Sequence, residues 1–143
     1  MNIGNILATK GSKVITLHPD QSLKDAVALL TEHNIGALVV VDATGKPVGI
    51  LSERDIVRAA HRLGDTLLTQ LVKDIMTKHV LVAQPHDDLQ AVLKTMTEKH
   101  FRHMPIMDQG QLAGIISLGD VVKVQLDEYR GEIETLQQYI MQG

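Results

Sequence analysis

Two short stretches carry residues whose types and spacing could do chemistry: GILSERD at 49–55, with Ser52, Arg54 and Asp55, and GIISLGD at 114–120, with Ser117 and Asp120. A Ser-x-x-Asp placed where a strand gives way to a helix can close a capping box, its side chains accepting from backbone N–H groups. The same place suits an anion, because a helix N-terminus offers free N–H donors and a partial positive charge. A carboxylate one turn in can accept two hydrogen bonds from a sugar diol, and Ser can donate to a phosphate oxygen. Arg54 adds a guanidinium, whose planar fork matches phosphate oxygens. This is the chemistry of recognition rather than of catalysis. The chain has no Walker A loop, no Gly-x-Gly-x-x-Gly and no Gly-x-Ser-x-Gly elbow. Ser52 has no neighbouring His to act as its base. His100 and His103 have a spacing that could suit a metal, but no Cys or obvious carboxylate completes four ligands. Neither an enzyme nor a metal centre is expected.

The elements that position these motifs come in two copies. With one residue deleted in a turn, 14–58 aligns with 80–123: Pro19 meets Pro85, Leu23 meets Leu89, Thr31-Glu32 meets Thr97-Glu98, and Asp42 meets Asp108. Gly49, Ser52 and Asp55 then meet Gly114, Ser117 and Asp120. Such in-register identity marks an internal repeat. Each copy reads as a short strand (Val14–Leu17, Val80–Ala83), a helix capped by Ser22 or Asp88, two strands joined by a turn, and a second helix opening at the motif Ser. Leu23, Val27 and Leu30 mark the helix's apolar face in the first copy, and Leu89, Val92, Leu93 and Met96 in the second. ALVVVD and HMPIMD are near-continuous apolar runs, the pattern of strands covered on both faces. The connector GDTLLTQLVKDIMTKH reads as a short helix, with NIGNILA as its N-terminal counterpart, Ile6-Leu7 against Ile75-Met76. A 45-residue unit is too small to fold alone, so the copies are expected to share a core, with clefts where they meet.

Composition narrows the partners. The chain has 143 residues, 44% hydrophobic and 22% charged, with a net charge of −3. Phe101, Tyr129 and Tyr139 are its only aromatics. Single-stranded nucleic acid needs stacking platforms and a basic groove, so nucleic acid is not an expected partner. No apolar run approaches the roughly 20 residues that span a bilayer. MNIGNILATKGSK lacks the charged and apolar regions of a secretory signal, so no membrane role is expected. With no cysteine, a cytoplasmic location is expected.

The paired units, with NIGALVVVD and FRHMPIMD, the GIxSxxD endings and DIMT at 74–77, resemble a tandem CBS-domain pair, or Bateman module. ILATKG, SERDIVR, RHMPIMD and the long C-terminal helix are similar to small stand-alone bacterial CBS-domain proteins. The resemblance implies an α/β (α+β) fold of two β-α-β-β-α repeats about a pseudo-twofold axis, with a long C-terminal helix. The expected division is 1–64 and 65–143. It also implies an adenine nucleotide (AMP, ATP or NAD(H)) in the clefts between the repeats, with no metal required. On the family pattern Asp55 and Asp120 hold ribose hydroxyls, and Ser52 and Ser117 lie near ribose or phosphate. Ile35-Gly36-Ala37 and Arg102-His103-Met104, followed by Pro105, line the adenine pocket. Thr16 touches the nucleotide, while its equivalent Val82 has no hydroxyl. Lys10, Arg54 and Met76 complete the candidate ligand-binding set.

Val122, Leu126, Tyr129, Ile133, Leu136 and Ile140 step by 4, 3, 4, 3 and 4, the spacing of a coiled-coil seam. A homodimer clasped by this tail is expected. Two function classes follow: a sensor that signals adenylate or redox state to a regulated protein, or an assembly module whose degenerate repeats have no physiological ligand.

Overall fold

In the computed structural model, which describes residues 1–142, Ser22 and Asp88 start the first helix of each repeat as expected. Asp25 N–H donates to Ser22 Oγ (3.2 Å) and Ala91 N–H to Asp88 Oδ2 (3.1 Å). These caps satisfy donors that a helix leaves unpaired. Helix α2 (Leu23–His33) buries Leu23, Ala26 and Leu30, and α5 (Leu89–Lys99) buries Leu89, Val92 and Met96. Val27 is only half-buried, because the buried stripe of α2 runs through Ala26. Each helix ends on a left-handed residue, Asn34 (φ 50°) and His100 (φ 60°), at equivalent positions.

The strands that follow form antiparallel hairpins: β2 (Ala37–Val41) with β3 (Pro47–Ser52), and β4 (His103–Asp108) with β5 (Gln111–Ser117). Ala37 pairs with Ser52 as His103 pairs with Ser117, and both ladders slip at one place, after Val40 and after Ile106. The one-residue difference between copies lies in the turns. In the first turn Asp42 Oδ1 accepts from the N–H groups of Thr44 and Lys46. The second turns on Gln109 (φ 50°) and Gly110 (φ 78°), two consecutive left-handed residues as a tight hairpin requires. Strand β2 is buried along its whole length, as its unbroken apolar run predicts.

The first strands are shorter than expected. Val14–Leu17 reduces to β1 (Thr16–Leu17), parallel to β2, and Val80–Ala83 to one bridge from Ala83 to Ile106. Leu17 and Ala83 are buried, whereas Leu81 and Val82 point outward, so only the buried ends are held against a sheet. The connector is not one helix but a 3₁₀ turn (Gly64–Thr69) and a four-residue helix, α4 (Val72–Ile75). Its N-terminal counterpart is α1 (Ile3–Lys10), and α3 (Glu53–Leu63) and α6 (Leu118–Gln142) follow the motif serines.

The apolar side chains gather in two clusters rather than one shared core, and the chain crosses between them. Ile3 and Ile6 of α1 pack with Leu89, Met96, Ile106 and Ile116 of the second repeat. Val72 of α4 packs with Leu17, Leu23, Leu38 and Leu51 of the first. Backbone bonds agree, Ile3 N–H to Asp87 O (3.0 Å) and Val72 N–H to Gln21 O (2.8 Å). Each unit is therefore completed by a segment from the far side of the 64/65 division. The second segment's last residue, Gly143, lies outside the described residues.

Candidate functional site

Both motifs are helix caps. Ser52 N–H donates to Asp55 Oδ2 (2.9 Å) and Asp55 N–H to Ser52 Oγ (3.3 Å). Ser117 N–H donates to Asp120 Oδ2 (2.8 Å) and Asp120 N–H to Ser117 Oγ (3.0 Å). The next N–H in each case reaches the preceding hairpin, Glu53 to Gly36 O (3.0 Å) and Leu118 to Arg102 O (2.8 Å). The motif glycines leave room for the crossing segments. A Cβ on Gly114 would stand 2.6 Å from Leu7 Cδ2, and one on Gly49 would meet Met76.

What stands before each carboxylate differs. After α4 the chain is extended, and Thr77 exchanges two backbone hydrogen bonds with Ile50 (3.0 and 2.9 Å). Its hydroxyl then donates to Asp55 Oδ1 at 3.3 Å. Helix α1 instead stays helical to Lys10, with Gly11 N–H closing on Leu7 O (2.8 Å). Lys10 Nζ takes up the Ile115 carbonyl (2.7 Å) and donates to Asp120 Oδ2 (2.6 Å).

A cleft of about 650 Å³ opens in front of Asp55. That volume falls in the range of small-molecule sites. Both units line it. Ser52, Arg54, Asp55 and Arg58 come from the first; Phe101, Arg102 and His103 come from the second, and Val80 and Leu81 from the chain entering it. Its lining combines apolar side chains (Val80, Leu81, Phe101), three arginines and a single carboxylate, Asp55. Such a lining can pack against a planar ring, hold a diol and neutralise phosphate.

The candidate residues divide accordingly. Ser52, Arg54, Asp55, Arg102 and His103 meet in this cleft. Thr16 is exposed on β1 and does not line it; Val80 and Leu81 do, because the chain passes Asp55 on its way into the second repeat. Ile35 packs on the first core, Gly36 O is taken by Glu53, and Ala37 is buried. Met104 and Pro105 are buried in β4, and Met76 lies over Gly49. Ser117 and Asp120 face Lys10 rather than this cleft. Sequence reasoning missed Arg58, Thr77 and Phe101. Arg58 was findable, since it lies one helical turn beyond Arg54 on the same face. Phe101 had no signal until the two units were placed together.

Two groups that feel the Lys10 charge titrate away from their ordinary values. Burial lowers the pKa of His103, and the Lys10 charge adds to the effect, against Asp120 and Glu53. Burial pushes Asp120 upward, but the Lys10 hydrogen bond, the Ser117 N–H and the Lys10 charge together hold its carboxyl below the usual range. Among the described residues no helix is long and apolar enough to cross a membrane, and no group of three or more His, Cys, Asp or Glu is placed to hold a metal ion.

Comparison with known proteins agrees with this geometry. The CBS-domain family model matches residues 3–62 and 72–127. The crystal structure of the CBS-domain protein ATU1752 from Agrobacterium tumefaciens superposes with a TM-score of 0.83 at 42% identity, covering 87% of this chain and 99% of that one. The CBS domain pair of protein MJ0100, solved with 5-methylthioadenosine and S-adenosyl-L-methionine, superposes with a TM-score of 0.78 at 26% identity, covering 90% of this chain and 98% of that one. CBSX2 in complex with AMP gives 0.69 at 28% identity, covering 90% and 98%. With two matched domains, crossing segments α1 and α4, and a cleft lined by both repeats, the chain belongs to the CBS-domain family as a tandem pair.

Proposed function

We propose that the Asp55 cleft binds an adenine nucleotide and that the chain is a regulatory sensor rather than an enzyme. The observation that carries this is the meeting of Asp55, three arginines and the apolar Val80, Leu81 and Phe101 in one cleft lined by both repeats. Asp55 accepts the ribose diol, Val80, Leu81 and Phe101 hold the base, and Arg54, Arg58 and Arg102 neutralise phosphate. Ligands found in MJ0100 and CBSX2 support the class. Three guanidiniums against one carboxylate favour a ligand with more than one phosphate, so ATP or NAD(H) should bind more tightly than AMP. A ligand that touches both units changes how they sit together, which is a change a regulated protein can read. No metal is needed to explain the site.

The tail supports a second copy of the chain as a partner. From Leu126 to Ile140 the apolar stripe of α6 is exposed, Leu136 by 62% and Ile140 by 78%. A helix of 25 residues runs roughly 37 Å at 1.5 Å per residue, beyond its own unit. We infer a homodimer in which these stripes pair.

A thermal-shift screen of the full chain against adenosine, AMP, ATP, NAD and NADH tests the ligand class. A ligand that binds only the folded state must raise its stability. The reading expects shifts that grow with phosphate number; no shift with any of them at millimolar concentration contradicts it.

A further inference from the structure

The two carboxylates are not equally furnished. Arg54, Arg58 and Arg102 gather at the Asp55 cleft. Their repeat equivalents on the Asp120 side are Gly119, Lys123 and Gly36, with Ala37 in place of His103. The side that lacks the guanidiniums is the one that already holds a cation. Lys10 Nζ lies 2.6 Å from Asp120 Oδ2 and 2.7 Å from the Ile115 carbonyl, and the two side chains are 36% and 27% exposed. Lys10 is not a loose surface charge. Its helix is anchored by Ile3 and Ile6, both buried in the same unit, and by Leu7 lying over Gly114.

On the reading that these clefts take adenine nucleotides, we propose that Lys10 decides which cleft is open. Its ammonium sits on Asp120 Oδ2, the oxygen that also accepts from Ser117 N–H, and neutralises the carboxylate that a ribose diol would need there. A ribose diol brings two neutral O–H donors to a carboxylate. Lys10 offers a charged donor, and charge-assisted hydrogen bonds are roughly twice as strong as neutral ones. It also competes from within the molecule: a short tether gives an effective concentration on the order of millimolar or above. On the Asp55 side, beyond the cap bonds from Ser52 N–H and Oγ to Oδ2, the competitor is the Thr77 hydroxyl on Oδ1 at 3.3 Å, a long neutral bond that a diol can replace. One chain therefore binds one nucleotide, and Lys10 acts as a specificity-determining residue without touching it.

Calorimetric titration of AMP into the full-length protein tests this. Wild type should bind one AMP per chain, and Asp55→Ala should weaken that site by at least about 10-fold, the loss of one charge-assisted bond. Lys10→Met, and Lys10→Gln as a second neutral variant, should each raise the stoichiometry to two. Asp55→Ala with Lys10→Met should bind one, now at Asp120. Two sites of similar affinity in wild type, or a single site that persists when Lys10 is neutral, would overturn the role of Lys10 and leave the nucleotide reading standing. Absence of AMP binding in wild type and in every variant would overturn both.

Discussion

Met76 lies across Gly49, so that a Cβ on Gly49 would crowd its side chain and stand 3.0 Å from the Thr77 carbonyl oxygen. Leu7 lies across Gly114 in the other unit, but there the crowding atom is the tip of a side chain. Flexible tips can move and backbone cannot. Overpacking a well-filled core costs about 1–3 kcal/mol. Gly49→Ala is expected within that range, and Gly114→Ala below about 1 kcal/mol. Urea unfolding of both variants checks the order; equal losses would mean that Thr77 shifts as easily as Leu7.

Strong acid should loosen the Lys10 side. Asp120 has its folded-state pKa below its ordinary value of 3.8. Its pairing therefore contributes stability above that value, and the contribution is lost as pH falls through the lower folded value. Lys10→Met removes part of the depression, so wild type and variant should differ in stability at neutral pH and converge in strong acid. His103 gives a readout that needs no ligand. Lys10 lowers the pKa of its imidazole and Asp120 raises it, so Lys10→Met should move the imidazole upward in an NMR titration. A downward shift, or none, would mean that Lys10 does not hold this position in solution.

Much of this was legible in the sequence because the repeat doubled every signal. Ser22, Asp88, Ser52 and Ser117 cap the helices they were expected to cap. Pairing across units was not legible. Which strand segment shares a cleft with Ser52 and Arg54 was not fixed by the motifs; the structure joins them to Arg102-His103 of the other copy. Local periodicity reports which face of a helix is buried, not which copy covers the open end of a strand. The crossing of α1 and α4 was invisible for the same reason. Lys10 was a candidate ligand contact; its pairing with Asp120 depends on α1 remaining helical three residues past Leu7.

The tail gives a separable prediction. Ile133 and Leu136 are 55% and 62% exposed, and exposed positions away from caps and cores usually change monomer stability by no more than about 0.5 kcal/mol. Ile133→Asp with Leu136→Asp should therefore halve the sedimentation mass and leave the two repeats folded. An unchanged mass would place the dimer contact elsewhere or show that there is none.

The arginines of the cleft should sort ligands by charge. Arg54→Ala and Arg102→Ala are expected to weaken ATP and NAD by more than AMP, and adenosine least, because each removes a fork for phosphate rather than a contact to the base. Isothermal titration across the four ligands reads this directly. Equal losses for adenosine and ATP would move the arginines out of the phosphate role.

Asp55 bears the central claim, since it is both a helix cap and the proposed ribose ligand. A charge-assisted hydrogen bond is worth about 1.5–3 kcal/mol, which corresponds to roughly 10- to 100-fold in affinity. The decisive measurement is calorimetric titration of ATP into wild type and Asp55→Ala, each with its ligand-free melting temperature taken alongside. The account predicts binding by wild type and a 10- to 100-fold weakening in Asp55→Ala, beyond what any change in melting explains. No ATP binding by wild type at millimolar concentration, together with a lower melting temperature in Asp55→Ala, would contradict it and leave GILSERD as a helix cap alone.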